Sequence, residues 1–165
     1  KRHWKIFEKA VQNLRKQHQN FSFVLLEGDN VNISSSVNIV KIKENQYEAI
    51  GIADAAIVCS GTATLETAML RCPMIVCYKL SWPTWILAQM LSKVKYLSLV
   101  NLIAEDKVVD EYLQNKMTAK NLASGVNNLF KNENRDTVVE KYKRLIEKLK
   151  TNENPYTSAA RYIYD

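Results

Sequence analysis

A short apolar run that stops dead at Ser-Gly-Thr and gives way to a helix constrains this chain more than any other feature. The run is Ala55-Ala56-Ile57-Val58-Cys59. Ser60-Gly61-Thr62-Ala63-Thr64-Leu65-Glu66 follows it at once. Such a strand-to-helix junction aims backbone N–H groups and the positive end of the helix dipole at whatever sits above the sheet edge. Hydroxyls from Ser60, Thr62 and Thr64 add donors beside them. Glu66 lies four residues beyond Thr62, one turn along the same side. Phosphate by the hydroxyls and a sugar hydroxyl by the carboxylate would both be satisfied, which is what a nucleotide sugar offers. The rival reading is a well-capped helix with a solvent-facing Glu66.

The rest of the chain fits a fold built around that junction. Further apolar runs are Phe21–Leu26, Val37–Lys41, Met74–Tyr78 and a weaker Tyr96–Val100. Helical patterns lie between them. The first, Lys1 to Gln17, carries Ile6, Phe7, Ala10, Val11 and Leu14 on one face. Others cover Asn45–Ala53, the Ser-Gly-Thr segment to about Leu70, and a stretch opened by Pro83 and running to about Ser92. A short helix is expected over Val108–Gln114 and a longer one over Thr118–Phe130, with Leu122, Val126 and Leu129 inward. Thr137-Val138-Val139-Glu140 has capping-box spacing and would open a last helix bearing Val138, Tyr142, Leu145 and Leu149.

Alternating strands and helices predict an α/β fold: a Rossmann-like parallel sheet with helices on both faces, followed by C-terminal helices. Residues 1–150 form the domain and 151–165 a tail with a last helical segment. Opening inside a helix implies that the domain's first strand is absent. One step resists the pattern. Glu27 to Ser36 is polar and short for a parallel crossover, which needs about a dozen residues.

Composition narrows the function classes. The 165 residues are 47% hydrophobic and 24% charged with a net charge of +6, ordinary for a globular domain. The lysines are scattered, so nothing points to nucleic acid. No apolar run is long enough to span a bilayer. Cys59, Cys72 and Cys77 have no metal-ligand spacing and are expected as reduced core residues of a cytosolic protein. His3 and His18 have no triad partner. Asp106, Asp110 and Glu111 fit a solvated helix start better than a metal site. Trp82 and Trp85 suit either a membrane contact or core packing with Ile86 and Met90, and packing is the expectation. Tyr78 reads as a strand-end packing residue.

From Ile52 to Gln114 the chain resembles the C-terminal half of the lipid-A-disaccharide synthases. The blocks are Ala-Asp-Ala-Ala at 53–56, Ser-Gly-Thr-Ala-Thr-Leu-Glu at 60–66 and Cys-Pro-Met at 72–74 with Tyr78-Lys79. Pro83-Thr84-Trp85, Lys93-Val-Lys-Tyr-Leu-Ser-Leu99, Asn101-Leu-Ile-Ala104 and Val108-Val-Asp-Glu-Tyr-Leu-Gln114 continue the series. The resemblance implies half of a two-domain GT-B fold and an inverting glycosyltransferase. It would move 2,3-diacylglucosamine from its UDP conjugate to 2,3-diacylglucosamine 1-phosphate at the cytoplasmic face of the inner membrane. By the same resemblance Ser60, Gly61, Thr62 and Thr64 cradle the pyrophosphate and Glu66 binds the ribose. The turn near Lys41–Glu48 lies by the uracil, and Asn101 sits at the domain cleft, the nearest thing here to a catalytic residue. No cofactor and no metal are implied.

Two positions depart from the family pattern: Val100 stands where Pro is usual, and Glu105, followed by Asp106, where Gly is usual. A carboxylate there would repel a diphosphate. The family's Gly-Ser-Arg loop and its N-terminal acceptor domain lie outside this sequence, so weak donor binding and little turnover are expected of this chain alone. Other enzymes of the same architecture, a UDP-N-acetylglucosamine epimerase or transferase, share the loop and the later Glu. A non-enzymatic anion-binding module is the remaining alternative.

Overall fold

The computed structural model describes residues 3–28, 32–59, 61–81 and 95–150. The predicted Pro83 helix with Trp82 and Trp85, the tail 151–165, and Ser60 lie outside the described residues. Chain order is α1 (Trp4–Gln17), β1 (Val24–Leu26), β2 (Val40–Ile42), α2 (Gln46–Gly51), β3 (Ala56–Cys59), α3 (Ala63–Met69) and β4 (Met74–Tyr78). Then follow α4 (Leu99–Ala104), β5 (Glu111–Leu113), a 3-10 turn (Gln114–Lys116), α5 (Ala119–Leu129) and α6 (Asn132–Leu149).

Among the described residues every strand pairing is parallel. β1 pairs with β2, with Val24 opposite Val40; β3, β4 and β5 form a second sheet in that order. The centre of the larger sheet is β4, whose Met74, Ile75, Val76 and Cys77 are wholly buried. Side chains alternate faces along a strand, so β4 feeds two cores. Ile75 and Cys77 pack with Ala10 and Leu14 of α1 and with Leu122, Ala123, Val126 and Leu129 of α5. Met74 and Val76 pack on the opposite face with Ala68 of α3, Val100 of α4, and Tyr142 and Leu145 of α6. Helices therefore cover both faces, the Rossmann-like arrangement expected. Among the described residues no helix is long and apolar enough to cross a membrane.

The strand register also resolves the short crossover. β2 begins at Val40, not Val37, so Glu27 to Ile39 carry the connection, about the length a parallel crossover requires. Buried Glu27 organises it: its carboxylate accepts from Ile33 N–H at 2.9 Å and faces Lys41 Nζ at 3.8 Å. Lys41 in turn donates to the Ile33 carbonyl.

Four expectations need correction. Tyr96–Val100 is not a strand, because Ser98 caps a helix there: its hydroxyl accepts from Asn101 N–H at 3.3 Å and α4 follows. Val108–Gln114 is not a helix but supplies β5, which pairs Val76 with Glu111 and Cys77 with Tyr112. Thr137 caps nothing; α6 already runs from Asn132, and the Thr137 hydroxyl donates back to the Glu133 carbonyl at 2.7 Å. Leu149 is exposed, whereas Tyr142 and Leu145 are buried as expected.

Candidate functional site

In open parallel sheets, ligands bind beyond the carboxyl ends of the strands, where loops lead into helices. Two such ends meet here. β3 finishes at Cys59 and the chain re-enters helix at α3. β2 finishes at Ile42 and the chain re-enters helix at α2, entered through Asn45 at φ +55°. The first turn of α2 and Glu66 on the side of α3 line an open depression of about 380 Å³, with Asn45, Gln46, Tyr47, Glu48 and Ile50 on the α2 side. Glu66 thus opens onto the turn that the resemblance assigns to the uracil. Gln46 is fixed at the wall of the depression by donating from Nε2 to the Glu27 carbonyl at 3.0 Å and the Lys43 carbonyl at 3.1 Å. Tyr47 is exposed.

At the head of α3, Gly61 sits at φ +146°, a conformation that side-chain-bearing residues rarely adopt. No atom lies within 4 Å of where a Cβ would be. Glycine is therefore required there by the backbone, not by a steric neighbour. Gly61 and Thr62 are exposed, and the Thr62 side chain makes no capping bond. Thr64 is different. It is fully buried, and its hydroxyl donates to the Gly61 carbonyl at 2.8 Å, alongside its own N–H at 3.1 Å. Thr64 shapes the loop from beneath instead of presenting a hydroxyl above it.

Asn101 is likewise fully buried. Its Oδ1 accepts from Val108 N–H at 2.8 Å and Val109 N–H at 2.9 Å. Its Nδ2 donates to the Val109 carbonyl and to Glu111 Oε1, both at 2.9 Å. An amide has two hydrogens and two lone pairs, so none remains for a substrate. The residue braces the 105–110 loop against α4. Glu111 completes the brace by accepting from Ser98 N–H at 2.9 Å and the Ser98 hydroxyl at 2.8 Å. Sequence reasoning missed Glu111, which read as a solvated helix-start carboxylate. The Asn…Val-Val-x-Glu spacing was the available signal.

The departures at Glu105 and Asp106 are also placed. Glu105 closes α4 in the left-handed region at φ +57°, where glycine is the easy residue. Its carboxylate faces Lys148 Nζ at 3.5 Å, and Asp106 pairs with Lys141 Nζ at 2.8 Å. Both charges are directed to α6. The Lys141 ammonium bonded to Asp106 holds that carboxyl below the usual carboxylate value.

The histidines serve packing. His18 stacks on Phe21 with ring centroids 4.2 Å apart, its Nε2 2.9 Å from Asn127 Oδ1; His3 meets the edge of half-buried Tyr78. Cys72 and Cys77 are buried free thiols as expected, but Cys59 is exposed, because it ends β3 at the sheet rim. Among the described residues no three His, Cys, Asp or Glu side chains gather into a metal-binding group.

Residues 1–163 match the family described as lipid-A-disaccharide synthetase. The chain is 31% identical to the lipid-A-disaccharide synthase of Rickettsia prowazekii over 173 aligned residues, covering 98% of this chain and 46% of the relative. It is 35% identical to that of Blochmanniella pennsylvanica, covering 67% and 29%, and 37% identical to that of Blochmanniella floridana, covering 66% and 29%. The chain spans less than half the length of these relatives.

Proposed function

The chain belongs to the lipid-A-disaccharide synthase family, and from that membership we propose that it is the donor-binding part of a bacterial glycosyltransferase acting in lipid A synthesis. The donor is UDP-2,3-diacylglucosamine and the acceptor 2,3-diacylglucosamine 1-phosphate. Residues 1–150 form the donor unit. An acceptor domain elsewhere in the protein completes the site, at the cytoplasmic face of the inner membrane.

The observation that carries this reading is the depression shared by Glu66 and the α2 turn. A carboxylate opposite a short polar turn suits a nucleoside: Glu66 accepts from the ribose hydroxyls, while Asn45–Glu48 lie by the uracil. The diphosphate then falls at the head of α3. There Ser60, Gly61 and Thr62 supply N–H groups and hydroxyls, and Thr64 holds Gly61 in its glycine-only conformation.

Chemistry follows from this placement. The acceptor hydroxyl attacks the anomeric carbon as the bond to the UDP oxygen breaks, with inversion to the β-1,6 linkage. Negative charge grows on the departing diphosphate, and donors aimed there stabilise it without reorganising. The proton of the acceptor hydroxyl passes to a base in the acceptor domain, not to Asn101, whose amide is committed.

Turnover by the full-length protein with acylated donor and acceptor tests the reading. Product is expected with the lipid acceptor. Turnover with a non-acylated acceptor, and none with the lipid acceptor, would reject it.

A further inference from the structure

Cys59 and Cys77 are direct partners across the parallel pairing of β3 and β4. Parallel neighbours lie about 4.8 Å apart with side chains on the same face, inside the Cα–Cα range of about 4.4–6.8 Å that a disulfide spans. The two thiols differ in access: Cys59 is exposed at the strand end and Cys77 is wholly buried behind it. The shared face is that of α1 and α5, where Cys77 packs beside Ala10, Leu14 and Ile75. The neighbouring Cys77 thiol holds the Cys59 thiol below its ordinary value, and the Cys59 thiol, with burial, pushes Cys77 up. An accessible, thiolate-prone cysteine backed by a second thiol is the arrangement of an attacking and a resolving cysteine.

We propose that Cys59 and Cys77 form an oxidisable pair at the rim of the sheet, closing to a disulfide by exchange with a small-molecule disulfide. The Cys59 thiolate attacks one sulfur of the reagent, forming a mixed disulfide and expelling one thiolate. Loss of charge on Cys59 removes what held the Cys77 proton. Cys77 then gives up that proton and attacks the Cys59 sulfur, expelling the second thiolate. Two protein thiols lose two electrons and two protons in all, and the reagent disulfide becomes two thiols. Cys72 takes no part; it is buried, lies outside this pairing, and burial raises its thiol to about 11.

The test treats the full-length protein with glutathione disulfide at neutral pH, followed by acid quench and peptide mass mapping. Wild type is expected to lose two hydrogens in a linked Cys59–Cys77 peptide pair, with Cys59 reacting more than about tenfold faster than Cys72. Cys77→Ala is expected to stop at a glutathione adduct on Cys59. A wild-type protein that retains the Cys59 adduct with Cys77 still alkylatable overturns the proposal, as does a Cys59 no more reactive than Cys72. Both of these outcomes are measured on wild type, so they stand even where the buried Cys77→Ala variant fails to fold.

Discussion

Asn101 donates from Nδ2 to Glu111 Oε1 at 2.9 Å, joining the first turn of α4 to the strand at the edge of the larger sheet. The same amide serves Val108 and Val109, so Asn101→Ala strands two buried N–H groups and one carbonyl. Unpaired buried groups cost about 1–3 kcal/mol each before relaxation. A loss of about 3 kcal/mol of unfolding free energy is expected in urea titration. Glu111→Gln keeps one acceptor oxygen and is expected to cost about 1 kcal/mol.

Glu105 holds a left-handed helix end at φ +57°, and its ion pair with Lys148 is largely exposed. Exposed pairs contribute little, while a side chain in this conformation is disfavoured relative to glycine by about 1 kcal/mol. Glu105→Gly is therefore expected to stabilise the protein by about that amount, raising the thermal midpoint by a few degrees in a calorimetric scan.

Gly125 lies against Tyr112: a Cβ at 125 would sit 2.7 Å from the Tyr112 hydroxyl oxygen and 2.9 Å from Cε2. Gly125→Ala gains helix propensity of about 1 kcal/mol but drives the ring out of place. The substitution is expected to destabilise wild type and to stabilise a Tyr112→Ala background. Denaturation of the four proteins of this double-mutant cycle checks the change of sign.

Burial raises Cys72 to about 11. In the unfolded chain the thiol ionises first, near 8.5, so between these values the unfolded state binds fewer protons. Stability from this group is present in full below pH 8.5 and is lost as pH rises toward 11. Cys72→Ser is expected to flatten the fall in unfolding free energy across that window by on the order of 3 kcal/mol. Chemical denaturation at several alkaline pH values, wild type against variant, measures it.

How much was legible in sequence follows from which forces set each element. β4 and the inward faces of α1 and α5 were readable because burial and periodicity agree there: Met74–Tyr78 emerges with the predicted bounds, and Leu122, Val126 and Leu129 are all buried. The segment from Tyr96 to Gln114 was misread. Tyr-Leu-Ser-Leu-Val has a strand's composition, but Ser98 is pinned as a helix cap by Glu111, thirteen residues on. That tertiary bond overrides local propensity. β5 suffered the converse error, since Glu111–Leu113 is short and its strand character comes from pairing with β4. At the site, the Gly61 loop and Glu66 stood out from motif order, whereas the inward turn of Thr64 and the full commitment of Asn101 depend on packing that spacing does not encode.

Glu66 facing the α2 turn is the centre of the functional account, and calorimetric titration of UDP against the full-length protein tests it most directly. In the proposed site Glu66→Ala removes the acceptor for the ribose hydroxyls, and bonds to a charged group contribute about 1.5–3 kcal/mol. UDP affinity is expected to fall at least tenfold. Thr62→Val is expected to weaken it less, since backbone N–H groups remain. UDP binding unchanged by both substitutions would contradict the proposed site.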